Sequence, residues 1–353
     1  MNQNVALVAN QTSMIGKTHL ADSMLSSGIN LKLVFCPEHG FRGTADAGEK
    51  VNDSKDIKSG LPLISLYGKH KKPTPEDLQG IDMVVFDIQD VGVRFYTYIS
   101  TLHYVMEACA ENGISVLILD RPNPNGFYVD GPVLDESASS FVGMHKVPLV
   151  HGMTIAEYGL MVNGEGWLAD SIQCNLMVLP CKNYDHNTLY ELPIKPSPNL
   201  PNIRSILLYP SLGLFEGTIM SIGRGTSFPF QVYGHPDFRE SDFTFTPVPT
   251  AGAKYPKHKD LVCHGMDLRK KTLENIVAEK QLNLSYIDAA YAVFYGGHQE
   301  FFNNFFYRLA GNRELQQQIE NRMSVEEIRA TWQKDLLKFK TIRKKYLLYE
   351  DFE

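Results

Sequence analysis

The sequence predicts an α/β protein: a Rossmann-like, doubly wound parallel sheet domain followed by a smaller α+β C-terminal domain. Three observations carry that expectation. Short aliphatic runs alternate with helical patterns through the first 150 residues, and each run is bounded by Gly, Asn, Asp or Pro. After residue 150 the texture shifts to Pro-rich and Gly-rich stretches, and helical patterns cluster near the end. A length of 353 residues exceeds one typical core. The expected division is therefore 1–150 for the sheet domain and 151–353 for a domain closing a cleft over it.

The apolar runs at 5–9, 31–36, 83–88 and 115–119 are β-branched or aliphatic, as strands buried on both faces must be. Residues 18–27 carry Leu20, Met24 and Leu25 at helical spacing, and 98–112 is a second helical pattern that ends near Gly113. Farther on, 154–162 reads as a helix with Thr154 as its N-cap, and 176–180 as a strand. A Pro-rich connection spans 192–210, a Gly-rich segment 213–234, and extended chain 240–265. Helical patterns return at 268–280, 286–294, 301–309, 313–322 and 325–339. Polar clusters follow the early strands: Asn10-Gln11-Thr12-Ser13, Pro37-Glu38-His39-Gly40, Asp87 to Asp90, and Asp120-Arg121-Pro122-Asn123. In open parallel sheets ligands bind beyond the carboxyl ends of the strands, which is where these clusters fall.

A net charge of −6 gives no reason to expect nucleic acid or an anionic membrane as partner. The basic residues from Lys338 to Lys345 fit the solvated face of an amphipathic helix. Five cysteines form no C-x-x-C pair and no zinc spacing, and a Cys174–Cys181 pairing stays open. No apolar run approaches the ~18 residues a membrane span needs. The chain passes from Met1-Asn2-Gln3-Asn4 directly into an apolar strand, which suits either a cytoplasmic protein or a mature domain without its leader.

Glu38 is the strongest single candidate for chemistry. It leaves a buried strand in Glu38-His39-Gly40-Phe41-Arg42-Gly43, where low-dielectric walls can raise a carboxyl pKa toward that of a general acid. A structural salt bridge to Arg42 is the equal alternative. Asp87 and Asp90 end the third strand; a metal site would need more oxygen ligands, and a helix cap is the plainer reading of Asp90. Gly92-Val93-Arg94-Phe95-Tyr96-Thr97-Tyr98 puts an arginine and tyrosines on the same rim, types that suit an acidic sugar. No histidine pair has zinc-protease spacing, and His39 and His151 read more readily as structural. Gly223-Arg224-Gly225-Thr226 lacks the Lys-Ser/Thr of a phosphate loop, and no G-x-G-x-x-G follows the first strand, so no nucleotide cofactor is expected. Glu216, in Glu216-Gly217-Thr218, is a second loop carboxylate. Paired with Glu38 across an interdomain cleft, it would fit two-carboxylate glycoside hydrolysis.

Taken in order, these segments resemble the exo-β-N-acetylmuramidase family of bacteria, the NamZ-type peptidoglycan hexosaminidases. The resemblance rests on Val8-Ala9-Asn10-Gln11-Thr12-Ser13, Pro37 to Gly43, Phe86 to Tyr98 and Leu119-Asp120-Arg121-Pro122-Asn123-Pro124. It continues in His151-Gly152-Met153-Thr154, Phe215-Glu216-Gly217-Thr218, Gly223 to Thr226, Trp332-Gln333 and Ile342 to Tyr349. It implies a Rossmann-like domain carrying the site, a smaller second domain, no cofactor or metal, and release of N-acetylmuramic acid (MurNAc) from non-reducing ends. The implied partners are MurNAc-containing saccharides from peptidoglycan. The implied location is exported and periplasmic with the leader absent from this chain, cytoplasmic being the alternative. Carried onto this chain, Glu38 is the catalytic acid/base and Glu216 the second carboxylate, with Asp87 its rival. Arg94, Arg121 and Arg224 are candidates for the lactyl carboxylate, and Asn10, His39, Arg42, Tyr96 and His151 for the rest of the pocket. Two other classes compete: a non-catalytic muropeptide-binding protein, and a metal-dependent hydrolase using Glu38, His39, Asp87 and Asp90.

Overall fold

Strand β1 (Asn4–Ala9) is buried from Val5 to Ala9 on both faces, which only the middle of a helix-covered parallel sheet permits. The computed structural model describes residues 3–37, 40–41, 54–239, 241–297 and 300–353. After β1 come a hairpin, β2 (Met14–Ile15) and β3 (Thr18–His19), then α1 (Leu20–Ser26) and β4 (Asn30–Cys36). Strands β5 (Ser54–Lys55), β6 (Pro62–Ser65) and β7 (Met83–Asp87) precede α2 (Tyr98–Glu111) and β8 (Ser115–Leu119). Helix α3 (Ile155–Gly164) and strand β9 (Leu176–Leu179) complete the layer. The sheet has seven strands in the order β5-β6-β4-β1-β7-β8-β9, all parallel except the short edge strand β5. Without β5 this is the strand order of doubly wound dinucleotide folds, with the topological switch point between β1 and β7.

The expected boundary at 150 falls inside this layer. Helix α3 packs on the sheet and β9 pairs in register with β8, so the sheet domain runs at least to Leu179. The change in texture at 150 marks a long connection between β8 and α3, not the end of a core. Strand β6 went unread because its short run begins with proline. The β2–β3 hairpin stands where a glycine-rich phosphate turn would be, which moves α1 away from the end of β1.

Helix α4 (Ile203–Leu212) lies in the stretch read as a Pro-rich connection, with Pro210 inside it. Proline lacks the N–H that would bond the Ile206 carbonyl. That carbonyl instead accepts from Asn125 Nδ2 at 3.2 Å, and the same amide donates to Val91 O at 2.9 Å. The second region continues through β10 (Val232–His235), β11 (Phe243–Phe245) and β12 (Cys263–Asp267), an antiparallel sheet ordered β10-β12-β11. Helices α5 (Leu273–Ala278), α6 (Ser285–Phe294), α7 (Phe306–Ala310), α8 (Glu314–Glu320) and α9 (Val325–Arg343) follow. No disulfide joins Cys174 to Cys181. Among the described residues no helix is long and apolar enough to cross a membrane.

The two regions share one apolar core, in which Phe86 and Ile118 of the sheet belong with Phe215, Phe306 and Trp332 of the second region. Arg94 joins them at the polar level. It is completely buried, and its guanidinium donates to Pro132 O at 2.7 Å, Val147 O at 2.8 Å, Leu309 O at 3.0 Å and Ala310 O at 2.8 Å. Burial pulls its pKa down to about 10. The C-terminal helix is tied back in the same manner. Trp332 Nε1 donates to Asp130 Oδ1 at 3.2 Å, and Arg343 donates to Gly152 O through Nε and Nη2 at 3.0 and 2.8 Å while gripping Asp351. Lys338 and Lys345 face solvent as expected, but Arg343 between them is buried.

The turn after β7 is buried too. Asp90 Oδ2 accepts from the Gly92 N–H at 2.7 Å, and Gly92 holds φ +76° where an added Cβ would strike Asn123 at 2.3 Å. Burial pushes the Asp90 pKa up to about 7, against the pull of the Gly92 and Val91 N–H groups. His151, also fully buried, lies 3.9 Å from Asp90 Oδ2, and burial lowers its pKa to about 3.

Two stability predictions follow from these buried groups. Arg94→Met removes the side-chain donors of four carbonyls, of which Val147 O keeps the Leu134 N–H at 3.0 Å, and should cost about 3–5 kcal/mol in chemical denaturation; a loss below about 1 kcal/mol would mean that the clamp contributes little. Asp90 gives a pH signature. Its folded pKa lies above the unfolded one, so the native state holds the extra proton and the stability it contributes is lost as pH rises from about 4 to about 7. Asp90→Asn, which keeps the acceptor for Gly92, should gain in melting temperature over wild type as pH rises through that window. A melting-temperature difference that stays flat from pH 4.5 to 8 would refute a buried, protonated Asp90.

Candidate active site

The turns after β1 and β7 are knitted at the switch point. Asn10 is fully buried; its Nδ2 donates to the Tyr98 hydroxyl at 2.9 Å, and its Oδ1 accepts from the Thr12 N–H at 2.9 Å and the Thr12 hydroxyl at 2.6 Å. The Gln89 N–H donates in turn to Thr12 Oγ1 at 3.1 Å, and the Ser13 hydroxyl donates to the Asp87 carbonyl. Asn10 thus holds the rim tyrosine from behind.

Asp87 and Arg121 are brought together, but with each other. Arg121 Nε meets Asp87 Oδ1 at 2.6 Å and Nη2 meets Oδ2 at 2.9 Å, with the carboxylate almost wholly buried. Both oxygens of Asp87 are therefore engaged, and so is the edge of Arg121 that would fork onto a substrate acid. The expectations for Asp87 as second carboxylate and Arg121 as substrate ligand need correcting on that ground. Arg94 is corrected likewise: its donors are spent on main-chain carbonyls inside the core. His151 is a buried imidazole whose Nδ1 accepts from the Met153 N–H at 3.3 Å, behind the site and not in it.

The cleft itself, about 240 Å³, opens between the sheet's carboxyl edge and the second region. Tyr67, Tyr96 and Tyr98 line it from the sheet side, and Tyr209, Glu216 and Arg224 from the other. The Tyr96 hydroxyl donates to Pro196 O at 2.8 Å, and its ring stands edge-on to Tyr98 at 4.9 Å and Tyr209 at 5.9 Å. These rings stiffen one another and leave aromatic surface toward the opening, a wall suited to the apolar face of a sugar. Tyr209 escaped sequence reading because it sits in α4, masked by Pro210.

Glu216 closes the 3-10 turn Gly213–Gly217 that continues α4, and Arg224 sits between Gly223 at φ +77° and Gly225 at φ +81°. A Cβ on Gly225 would come within 2.6 Å of the Val248 carbonyl, so the glycine allows the loop to lie flat against its neighbour. The two side chains meet, Arg224 Nη2 to Glu216 Oε1, at 2.5 Å. The guanidinium lies 5.2 Å from the centre of the Phe230 ring, and its buried Nε has no hydrogen-bond partner among the described residues. Of the residues singled out from sequence, Tyr96, Glu216 and Arg224 thus share the cleft, with Asn10 one hydrogen bond behind.

Glu38, His39 and Arg42 lie outside the described residues. The neighbouring Phe41 packs edge-on to His19 at 4.5 Å, and His19 Nε2 lies 2.9 Å from the Asn10 carbonyl. Among the described residues no group of three or more His, Cys, Asp or Glu side chains is placed to hold a metal ion. Of the residues named for the metal-hydrolase alternative, Asp87 is committed to Arg121, which weighs against that reading.

Comparison with known proteins agrees across the chain. Residues 5–204 match the family model described as exo-β-N-acetylmuramidase NamZ, N-terminal, and 207–349 match its C-terminal counterpart. The junction of the two matches falls within the first turn of α4, well past residue 150. The peptidoglycan β-N-acetylmuramidase NamZ of Bacillus subtilis (strain 168) is 41% identical over 343 residues, covering 91% of this chain and 80% of that protein. Crystal structures of two DUF1343 family proteins from Bacteroides fragilis superpose over 99% of this chain. One is 47% identical with a TM-score of 0.92, covering 95% of that chain, and the other 30% identical with a TM-score of 0.81, covering 94%. Fold, motif order and relatedness over nearly the whole length converge: this chain belongs to the exo-β-N-acetylmuramidase NamZ family.

Proposed function

We propose that the protein is an exo-acting glycoside hydrolase that releases MurNAc from the non-reducing ends of peptidoglycan fragments, acting in cell-wall turnover outside the cytoplasmic membrane. The observation that carries this reading is the Glu216–Arg224 pair set in an aromatic-walled cleft. MurNAc differs from N-acetylglucosamine by a lactyl carboxylate. An arginine with an open N–H in a confined site rewards that carboxylate and is left unpaired by the sugar that lacks it. Tyr96 and its aromatic neighbours supply the stacking surface.

In this proposal Glu38, which follows the carboxyl end of β4, is the acid/base that protonates the leaving oxygen. Glu216 is the second carboxylate, held by Arg224 as an anion that can stabilise positive charge developing at the anomeric carbon. Asp87 is set aside because Arg121 occupies both of its oxygens.

The test compares release of para-nitrophenol from the β-muramoside and the β-N-acetylglucosaminide. Wild type should cleave the muramoside alone. Glu38→Gln and Glu216→Gln should each lower kcat by roughly 10²-fold or more. Arg224→Met should cut kcat/KM for the muramoside by about 10²-fold. Tight binding of MurNAc by folded wild type without any release would make the protein a muropeptide binder instead.

A further inference from the structure

Lys257 approaches the Glu216–Arg224 pair from a segment with no recognisable motif. A Cβ on Gly225 would lie 2.7 Å from the Pro256 ring, so the glycine next to Arg224 is what lets residues 256–257 pack against that loop. The half-buried Lys257 donates through Nζ to the Thr218 carbonyl, two residues beyond Glu216. Among the described residues no carboxylate lies within ion-pair distance of this ammonium; Glu216 is engaged by Arg224.

Two cations therefore share one carboxylate in a partly desolvated corner. An uncompensated charge of this kind is costly and persists where a ligand supplies the missing anion. The electrostatic surroundings agree. Burial pulls the Lys257 pKa down to about 8, Glu216 opposes that shift, and Arg224 adds to it. His235 and His258 pack nearby with ring centroids 4.5 Å apart, and burial lowers the pKa of both. Asp237 acts on those histidines from the solvent side.

We propose that Lys257 is a specificity-determining residue, its ammonium forming with the Arg224 guanidinium the seat for the lactyl carboxylate of the sugar. The inference rests on the reading of the cleft as a muramoside site. An uncharged sugar leaves both cations uncompensated, whereas one carboxylate bridging them neutralises the corner. Lys257 contacts a part of the substrate remote from the scissile bond, so it acts on binding in the ground and transition states alike.

The experiment uses para-nitrophenyl β-MurNAc and its lactyl methyl ester, the same sugar without the charge, on wild type, Lys257→Met and Lys257→Arg. Lys257→Met should raise KM for the acid by about 10-fold with kcat within about 3-fold, and Lys257→Arg should restore most of the loss. The ester should not distinguish the three proteins. In wild type, KM for the acid but not the ester should rise as pH passes upward through about 8, where the ammonium loses its proton. That profile tests the seat even if Lys257→Met fails to fold. An unchanged KM in folded Lys257→Met, a fall confined to kcat, or equal losses on acid and ester would overturn the proposal. Calorimetric binding of free MurNAc separates it from the hydrolase reading. Charge-selective binding that weakens in Lys257→Met without turnover by wild type would remove the hydrolase and keep the seat. Equal affinity in both proteins would remove the seat whatever the turnover.

Discussion

The buried guanidinium of Arg94 is the interaction on which the arrangement of this molecule depends. It leaves the sheet just beyond β7 and ends among carbonyls of the 132–147 connection and the last turn of α7. A Cβ on Gly311 would lie 2.2 Å from its Nη2, so α7 must finish in glycine to come so close. Helix α7 in turn follows the segment that backs Glu216: Asn303 donates its N–H to the Gly217 carbonyl at 3.0 Å, and Thr218 bridges Phe302. The wall carrying Tyr96 and the wall carrying Glu216 are therefore fixed relative to each other through one buried charge whose two terminal nitrogens are each bonded to two carbonyls. Main-chain acceptors suit that task, since they cannot titrate away and need only correct placement.

Charge is handled differently inside the frame and at the cleft. Asp87 with Arg121 and Arg343 with Asp351 are paired by two-point contacts and largely withdrawn from water. Asp120, half-buried beyond β8, accepts from Thr154, Ala156 and Tyr349, and desolvation still lifts its pKa to about 6. At Glu216, Arg224 and Lys257 the accounting is left open, with a buried guanidinium N–H unsatisfied and one carboxylate for two cations. A satisfied network stiffens a fold, and an unsatisfied one at a cavity wall invites a ligand.

The strand order is that of nucleotide-binding sheets, yet the features that bind phosphate are missing from the first turn. Asn10 to Ser13 replace a glycine-rich loop, and the side chains of Asn10, Thr12 and Ser13 are consumed in bonds to Tyr98, Gln89 and Asp87. The β2–β3 hairpin separates the end of β1 from the start of α1. The switch point still supplies a crevice, as its geometry requires, but what fills it is set by side chains.

Much of the fold was legible in the sequence because its signals are local. The runs at 5–9, 31–36, 83–88 and 115–119 became β1, β4, β7 and β8, since a strand buried on both faces must be continuously apolar. Thr154 caps α3 in a capping box with Glu157, as its position before a helical pattern implied. Helix α4 was not legible, because its proline is tolerated only through a hydrogen bond from Asn125, far away in sequence. The site divides along the same line. Sequence alone determined the sheet, the polar turns at its carboxyl edge and the pool of acidic, basic and aromatic residues there. Only the tertiary structure decided that Arg94 and Arg121 are spent within the protein while Arg224 faces a cavity with Lys257 close to it. Whether a charge is engaged depends on partners tens to hundreds of residues distant, and no local pattern encodes that distance.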